Sequence, residues 1–160
     1  MKRTKQIIQK PDAILVADFH LREDQPTCRT DNFVEAQWKK VDFVKDLQKK
    51  YDCPVFHSGD LFEYWKPSPN LLSETIKHLP WRFHTIYGNH DLPQHSMDLA
   101  YKSGVYTLWI AGELTLLNGC HWGQTPDKNS WTWIFPRIDG GEDTKGILAW
   151  HVMTYQGKKP

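Results

Sequence analysis

The sequence has no apolar run that approaches the ~20 residues of a membrane-spanning helix. Its basic first three residues lead into a polar segment, so the start does not resemble a secretory signal peptide. Cysteine is scarce, and Cys28, Cys53 and Cys120 are widely separated, without CxxC spacing. We therefore expect a cytoplasmic protein without membrane contacts, whose cysteines are reduced and packed as small hydrophobic residues.

Charge imbalance, internal repeats and low-complexity tracts are also missing. The formal net charge of +1 gives no overall reason to expect nucleic-acid binding, which would need a local basic patch. Because 39% of the 160 residues are hydrophobic and 24% are charged, residues 1–160 are predicted to form a single domain with a sizeable core. The eight tryptophans indicate aromatic packing or a stacking surface.

Hydrophobic patterning predicts alternating strands and helices up to about residue 90. Apolar runs at 13–17, 54–57 and 82–87 are typical of strands, and the first run is expected to be buried on both faces. Periodic stretches at 32–51 and 68–79 are typical of amphipathic helices. The order β-α-β-α-β indicates an α/β fold with a parallel sheet.

Capping residues indicate where the two helices begin. Asn32, with Glu35 three residues later, is expected to cap the first helix. Ser68, followed by a proline, is expected to cap the second. The residues predicted to line the buried side of the second helix are Leu72, Ile76 and Leu79.

The pattern changes after residue 104. Short strands are predicted at 105–110, 113–117 and 147–150, with no helices between them. Segment 124–146 is rich in proline, glycine, aspartate and tryptophan and is predicted to be a long surface loop. The second half of the chain is therefore expected to be more antiparallel than the first.

Polar side chains follow each of the first three predicted strands. Asp18 and His20 follow the first strand, Asp60 follows the second, and Asn89 and His90 follow the third. Because ligands of open parallel sheets bind beyond the carboxyl ends of the strands, we expect these residues to lie close together. Carboxylate, amide and imidazole groups are hard or borderline ligands, so the pattern predicts a divalent-metal site suited to phosphate hydrolysis.

The predicted ligands have distinct expected roles. Asp18 and His20 are two residues apart, so a strand-like continuation would turn both side chains toward one cation. Asp60 has two oxygens with which to bridge two cations. Asn89 supplies a carbonyl oxygen and His151 a further imidazole.

The predicted catalytic residues are His90 and Asp91. His90 is better suited to act as a general acid than as a ligand, protonating the departing oxygen, and Asp91 is expected to hold or tune its imidazole. Arg22 and Arg29 are candidate substrate-binding residues because arginine can bind phosphate, and Trp65 can stack on a base. The alternatives are that the two arginines keep a loop soluble and that the tryptophan covers the core.

Read in order, Asp-x-His at 18–20, Gly-Asp at 59–60, Gly-Asn-His-Asp at 88–91 and the later His151 resemble the blocks of the calcineurin-like metallophosphoesterase superfamily. The resemblance covers residues 14–151. It implies a four-layer α-β-β-α sandwich with a dinuclear metal site at one sheet edge. A metal-dependent phosphoesterase is the function that follows from it.

The resemblance also implies which residues bind the metals. Two divalent ions, Mn²⁺ first and Fe or Zn²⁺ as alternatives, are the implied cofactors. His90 would be the catalytic acid. The implied metal ligands, with Asp60 shared by both ions, are Asp18, His20, Asp60, Asn89 and His151.

Segments 18–21 and 88–93 look most like the DNA-repair nuclease branch of the superfamily and phage proteins akin to it. That branch implies a phosphodiesterase or nuclease that acts on DNA or another nucleic acid, with an ATPase partner subunit. The family's later Gly-His-x-His block is missing, so we expect a C-terminally truncated representative. A non-catalytic binding module or inactive fragment of the same fold is the alternative, and the choice among monoester, diester and cyclic nucleotide stays open.

Overall fold

The computed structural model describes residues 10–117 in full, together with the backbone of the strands His121–Gln124, Trp131–Ile134 and His151–Met153. Within this part of the chain, no helix combines the length and the apolar character needed to cross a membrane. The strands form one parallel sheet and one antiparallel sheet.

The parallel sheet confirms the expected α/β class. Its strands, adjacent in chain order, are β1 (Ile14–Val16), β2 (Val55–His57), β3 (Phe83–Thr85) and β4 (Thr115–Leu116). The helices between these strands are α1 (Phe33–Tyr51), α2 (Pro69–His78) and α3 (Gly104–Ile110). Two short 3-10 helices, Pro93–His95 and Met97–Lys102, precede α3.

The second sheet confirms the expected antiparallel character of the later residues. It consists of β5 (His121–Gln124), β6 (Trp131–Ile134) and β7 (His151–Met153) in that order. β6 lies inside segment 124–146, so the prediction of a continuous loop was wrong there. Aromatic and β-branched residues favour a strand, and they dominate the sequence of β6. The strand predicted at 147–150 falls outside the described residues.

Both helix starts follow the predicted capping. The side chain of Asn32 accepts a hydrogen bond from the backbone N–H of Glu35, and α1 begins at the next residue, Phe33. The hydroxyl of Ser68 accepts one from the N–H of Leu71 in α2. A cap of this kind satisfies backbone donors that the first helical turn leaves without partners.

The buried side of α2 matches the prediction in part. Leu79 is buried and Leu72 is partly buried against the core, as expected, whereas Ile76 is 41% exposed. Leu71 and Thr75, at spacing i, i+4, are buried in addition. The polar Thr75 fits the core because its hydroxyl donates to the carbonyl of Leu71, 2.7 Å away.

Two apolar runs were interpreted wrongly. Residues 105–110 were predicted to be a strand but belong to α3, which Ser103 caps by accepting the N–H of Tyr106. Val105 and Leu108 are buried at helical spacing, so the run has period 3.6 rather than 2. β1 was expected to be buried on both faces, yet Leu15 is 62% exposed, so one face of this edge strand is open to solvent at that residue.

The core lies between the parallel sheet and the helices. α1 contributes Val41 and Val44, and Trp38 of α1 stacks on His78 of α2 with ring centroids 4.7 Å apart. Cys53 is buried as expected, but Cys28 is exposed because it lies in the loop before α1. The buried aliphatic and aromatic residues next to the sheet's carboxyl edge are Leu21, Leu61, Phe62, Ile86, Tyr87 and Leu92.

Candidate metal centre

The pairing of β1 with β2 continues beyond the ends of both strands. The backbone N–H groups of Asp18, His20 and Leu21 donate to the carbonyls of Gly59, Asp60 and Leu61, at 3.2, 3.0 and 2.9 Å respectively. The parallel register of the two strands therefore fixes which residues meet after the strands end. It places His20 beside Asp60, as expected for polar groups at the carboxyl edge.

This extension is not a regular strand. Asp18, His20 and Asp60 have φ values of +52°, +45° and +57°, and Gly59 has +98°. Left-handed backbone is uncommon for residues other than glycine and costs of order 1–3 kcal/mol at each position. The prediction that Asp18 and His20 turn to one side as in a strand rested on extended backbone, which these φ values rule out.

Three side chains offer ligand atoms within 4.8 Å of one another: His20, Asp60 and His90. Nε2 of His20 is 3.7 Å from Oδ2 of Asp60. The two imidazole rings lie edge to face, with centroids 4.7 Å apart and planes at 88°. Two ligands of one ion, each bound at about 2.1 Å, are themselves roughly 3–4 Å apart. Two imidazole nitrogens and a carboxylate oxygen at this spacing fit a divalent transition-metal ion.

Asp60 links the loops that follow β2 and β3. Its side chain is only 4% exposed, and its Oδ1 accepts the backbone N–H of His90 at 2.9 Å. Gly88 approaches so closely that a Cβ on it would overlap the carboxylate of Asp60. The carboxylate thus contacts the 88–90 loop with one oxygen and faces His20 with the other.

Asp91 lies next to this group but is directed into the protein. Its completely buried carboxylate accepts hydrogen bonds from the backbone N–H groups of Leu61, Phe62 and Gly88, at 3.2, 3.1 and 3.0 Å. Burial, and to a smaller extent the nearby Asp60 carboxylate, raise the pKa of Asp91 to about 7, although the three N–H groups act to lower it. The prediction that Asp91 holds the His90 ring was wrong. Nδ1 of His90 instead contacts the backbone carbonyl of Glu63, at 2.8 Å.

The remaining predicted ligands are placed differently. Asp18 is exposed and lines a cleft of about 420 Å³ between β1 and α1, outside the three-residue group. Asn89 precedes His90, and its backbone carbonyl forms a hydrogen bond with Nδ1 of His95 at 2.9 Å. His151 is the first residue of β7, and its side chain lies outside the described part of the chain.

The predicted substrate-binding arginines are both engaged by carboxylates. Arg22 donates to Asp24 through Nε at 2.9 Å, and this hydrogen bond is the main cause that raises its pKa above the ordinary value. Arg29 donates to Asp31 at 2.7 Å in the same way. Trp65 is half-buried, and its carbonyl accepts the N–H of Gly104 at 2.8 Å. These contacts give the three residues structural roles beside any role in substrate binding.

Glu63 and His95 were not singled out in the sequence. Glu63 contacts both histidines of the group, and its Oε2 lies 3.1 Å from Nδ1 of His20. Its position three residues after Asp60, just beyond a Gly-Asp turn, was the available signal for it. His95 gave no such signal because its partner is a backbone carbonyl.

Close contact between the two glycine turns yields the first prediction. Gly88→Ala should lower the free energy of unfolding by at least about 2 kcal/mol, because the new Cβ overlaps Asp60. Gly59→Ala should be similar, since its Cβ would lie 2.7 Å from the nitrogen of Gly88 at a φ of +98°. Gly112→Ala is the matched control: φ is +79° but no atom lies within 4 Å, so about 1 kcal/mol is expected.

Urea denaturation of the three variants measures these differences. Equal losses at Gly88 and Gly112 would contradict the close approach of the two loops.

Burial of Asp91 predicts a pH dependence of stability in the metal-free protein. With a folded pKa of about 7 against an ordinary 3.8, the folded state binds the proton more tightly than the unfolded state. The free energy of unfolding should therefore fall as pH rises from about 4 to 7, by at most roughly 1.4 kcal/mol per pH unit, and level off above 7. Asp91→Asn, which cannot titrate, should lack this component.

The quantity to compare is the difference in unfolding free energy between parent and Asp91→Asn at each pH, because other titrating groups cancel in it. A difference that stays constant from pH 4 to 8 would exclude the effect.

No protein-family model matches the chain, and no curated protein matches it either.

Proposed function

We propose that this chain is a metal-dependent phosphoesterase, specifically a phosphodiesterase or nuclease. The observation that carries the proposal is the group of His20, Asp60 and His90 at the carboxyl edge of a parallel sheet. Its members come from the loops after three different strands, and they belong to the ordered motifs that resemble metallophosphoesterases. Divalent ions activate water and orient phosphoesters for in-line displacement, and this is the chemistry that a bound metal would supply.

In this proposal His20 and Asp60 hold the first ion. The proposed second ion uses Asp60, Asn89 and His151, and its support is the resemblance alone. Asp18 is proposed as a further ligand of the first ion, and its support is likewise the resemblance alone. Mn²⁺ is the proposed metal, with Fe or Zn²⁺ as alternatives, because carboxylate, amide and imidazole donors suit all three.

His90 faces the same space as the two ligands of the first ion. Its Nδ1 contacts a backbone carbonyl, which can only accept, so Nδ1 carries a proton and Nε2 is the atom left for chemistry. From this position Nε2 of His90 either binds the ion through its lone pair or, when the ring is protonated at both nitrogens, gives its proton to the departing oxygen. The second role is the one we propose, in agreement with the motif.

The wider features of the proposal follow the resemblance. They comprise a four-layer α-β-β-α sandwich, a DNA or other nucleic-acid substrate, an ATPase partner subunit and a cytoplasmic location. The parallel sheet of β1 to β4 is compatible with such a sandwich. The nucleic-acid substrate rests on the resemblance alone, since the Arg22 guanidinium beside the site is paired with Asp24 and Glu63.

A second candidate is a binding module that has kept the fold without the reaction. The observation that favours it is the position of Asp18, which lines the cleft beside α1 instead of joining the three-residue group. Such a module would bind at most one ion and would not turn over a phosphodiester.

Metal binding is the first test of the proposal. Calorimetric titration of the metal-free chain with Mn²⁺ should show binding that Asp60→Ala weakens by more than about 100-fold, since loss of a ligand exceeds the 10–100-fold cost of losing a residue that orients one. His90→Ala should leave the affinity nearly unchanged if His90 is the acid. His78→Ala, a half-buried histidine of α2 outside the group, is the control.

No Mn²⁺ binding by the parent chain would overturn the metal site. An affinity loss in His90→Ala as large as that in Asp60→Ala would make His90 a ligand.

Turnover is the second test and separates the two candidate functions. With Mn²⁺ and bis-p-nitrophenyl phosphate, Asp60→Ala and His90→Ala should each lower kcat/KM by about 10²-fold or more, because one removes a ligand and the other a proton donor. His78→Ala should retain the parent value. Mn²⁺ binding without turnover by the parent would favour the binding module, and equal turnover in parent and both variants would exclude the mechanism.

A further inference from the structure

Glu63 touches three residues at the candidate metal centre with three different atoms. Its Oε2 is 3.1 Å from Nδ1 of His20, its Oε1 is 3.4 Å from Nη1 of Arg22, and its backbone carbonyl is 2.8 Å from Nδ1 of His90. Its own N–H donates to the carbonyl of Leu21 at 3.1 Å, which fixes its backbone against the 18–21 segment. Its side chain is 23% exposed, so solvent does not dominate these contacts.

The contact with His90 determines the tautomer of that histidine. A carbonyl oxygen has no proton to give, so Nδ1 of His90 must be the donor. In the neutral ring the proton then resides on Nδ1, and the lone pair resides on Nε2. This contact uses the main chain of Glu63 and is independent of its side chain.

Glu63 also contacts Nδ1 of His20, but here it uses its side-chain carboxylate instead of its backbone carbonyl. At 3.1 Å, Nδ1 faces a carboxylate oxygen as an ion-pair contact, without the alignment of a hydrogen bond. A lone pair on Nδ1 would be repelled by this oxygen, whereas a proton there is attracted. The Asp60 carboxylate acts on Nε2 in the same way, but from 3.7 Å instead of 3.1 Å, so the proton of the neutral ring favours Nδ1 and the lone pair remains on Nε2.

Arg22 holds the carboxylate of Glu63 in place. The guanidinium is fixed on its other side by hydrogen bonds to Asp24 through Nε and Nη2. Its remaining nitrogen, Nη1, faces Oε1 of Glu63 and leaves Oε2 for His20. A planar guanidinium held at two sites restricts where the carboxylate can lie.

We propose that Glu63 is the positioning residue of this centre, which sets both histidines in the Nδ1–H tautomer and leaves Nε2 of His20 for a divalent ion and Nε2 of His90 for proton transfer. The assignment rests on the proposed function only in naming a divalent ion as the occupant. Imidazole ligands generally need a partner on the second ring nitrogen for orientation and basicity. Here one residue supplies that partner to two histidines, to one through its side chain and to the other through its backbone.

The different routes give the two histidines different responses to mutation. In metal-free protein near pH 8, ¹⁵N NMR of the imidazoles should show Nδ1–H for both histidines of the parent. In Glu63→Ala, His20 should lose this preference, while His90 should keep it because the backbone carbonyl remains. Glu63→Gln should restore part of the His20 preference, since an amide oxygen can accept the proton.

Glu113→Gln, an exposed glutamate before β4, is the matched control and should change neither histidine. Glu63→Asp covers the case in which Glu63→Ala does not fold: it keeps the charge but shortens the reach, so an intermediate effect on His20 is expected. Persistence of Nδ1–H on His20 in Glu63→Ala, or Nε2–H on His20 in the parent, would overturn the assignment.

Calorimetry with Mn²⁺ adds an independent measurement. Glu63→Ala should weaken binding by about 10- to 100-fold, and Glu113→Gln should leave it unchanged. A parent chain that binds no Mn²⁺ would defeat the proposed function but would leave the tautomers of the metal-free protein to decide the role of Glu63. Parent-like affinity in Glu63→Ala would overturn its role toward the ion.

Discussion

Asp91 is buried completely, and its carboxylate accepts backbone hydrogen bonds from residues in two loops, at 61–62 and at Gly88. An uncompensated carboxylate would cost several kcal/mol in such a place, and the three N–H groups offset part of that cost. The same bonds hold the loop after β2 against the loop after β3. Asp60 and His90 lie on these two loops, so their proximity depends on Asp91. A residue that was predicted to be catalytic thus has a structural role, which its position next to His90 does not reveal.

The site combines this fixed support with unfavourable backbone conformations. Asp18, His20 and Asp60 all have positive φ, although none of them is glycine. Conformations of this kind persist where surrounding contacts determine them, and here the determining contacts are the N–H to carbonyl bonds between 18–21 and 59–61. The φ values depart from strand geometry at Asp18 and His20, so the two side chains do not follow the alternation of a strand. Residues at this sheet edge contribute both to the metal-sized group and to the cleft that Asp18 lines.

Much of the fold could be predicted from the sequence, because its signals are local. The capping of α1 by Asn32, the start of α2 and the parallel β-α-β-α-β order all follow from residues adjacent in the chain. The prediction for 105–110 was wrong because a continuous apolar run fits either period, and the deciding cap, Ser103, was overlooked. The exposure of Leu15 depends on what covers that face of the sheet, which is a non-local property.

The candidate site could be predicted in part for a related reason. A sequence identifies side chains that can bind a metal, and it named His20, Asp60 and His90. The hydrogen bonds that orient them go largely to the main chain: Asp60 to the N–H of His90, and His90 to the carbonyl of Glu63. Every residue type carries these main-chain groups, so no residue type marks them. The His20 contact differs because it needs the carboxylate of Glu63. It therefore depends on which residue type stands at position 63, and the sequence carries that information.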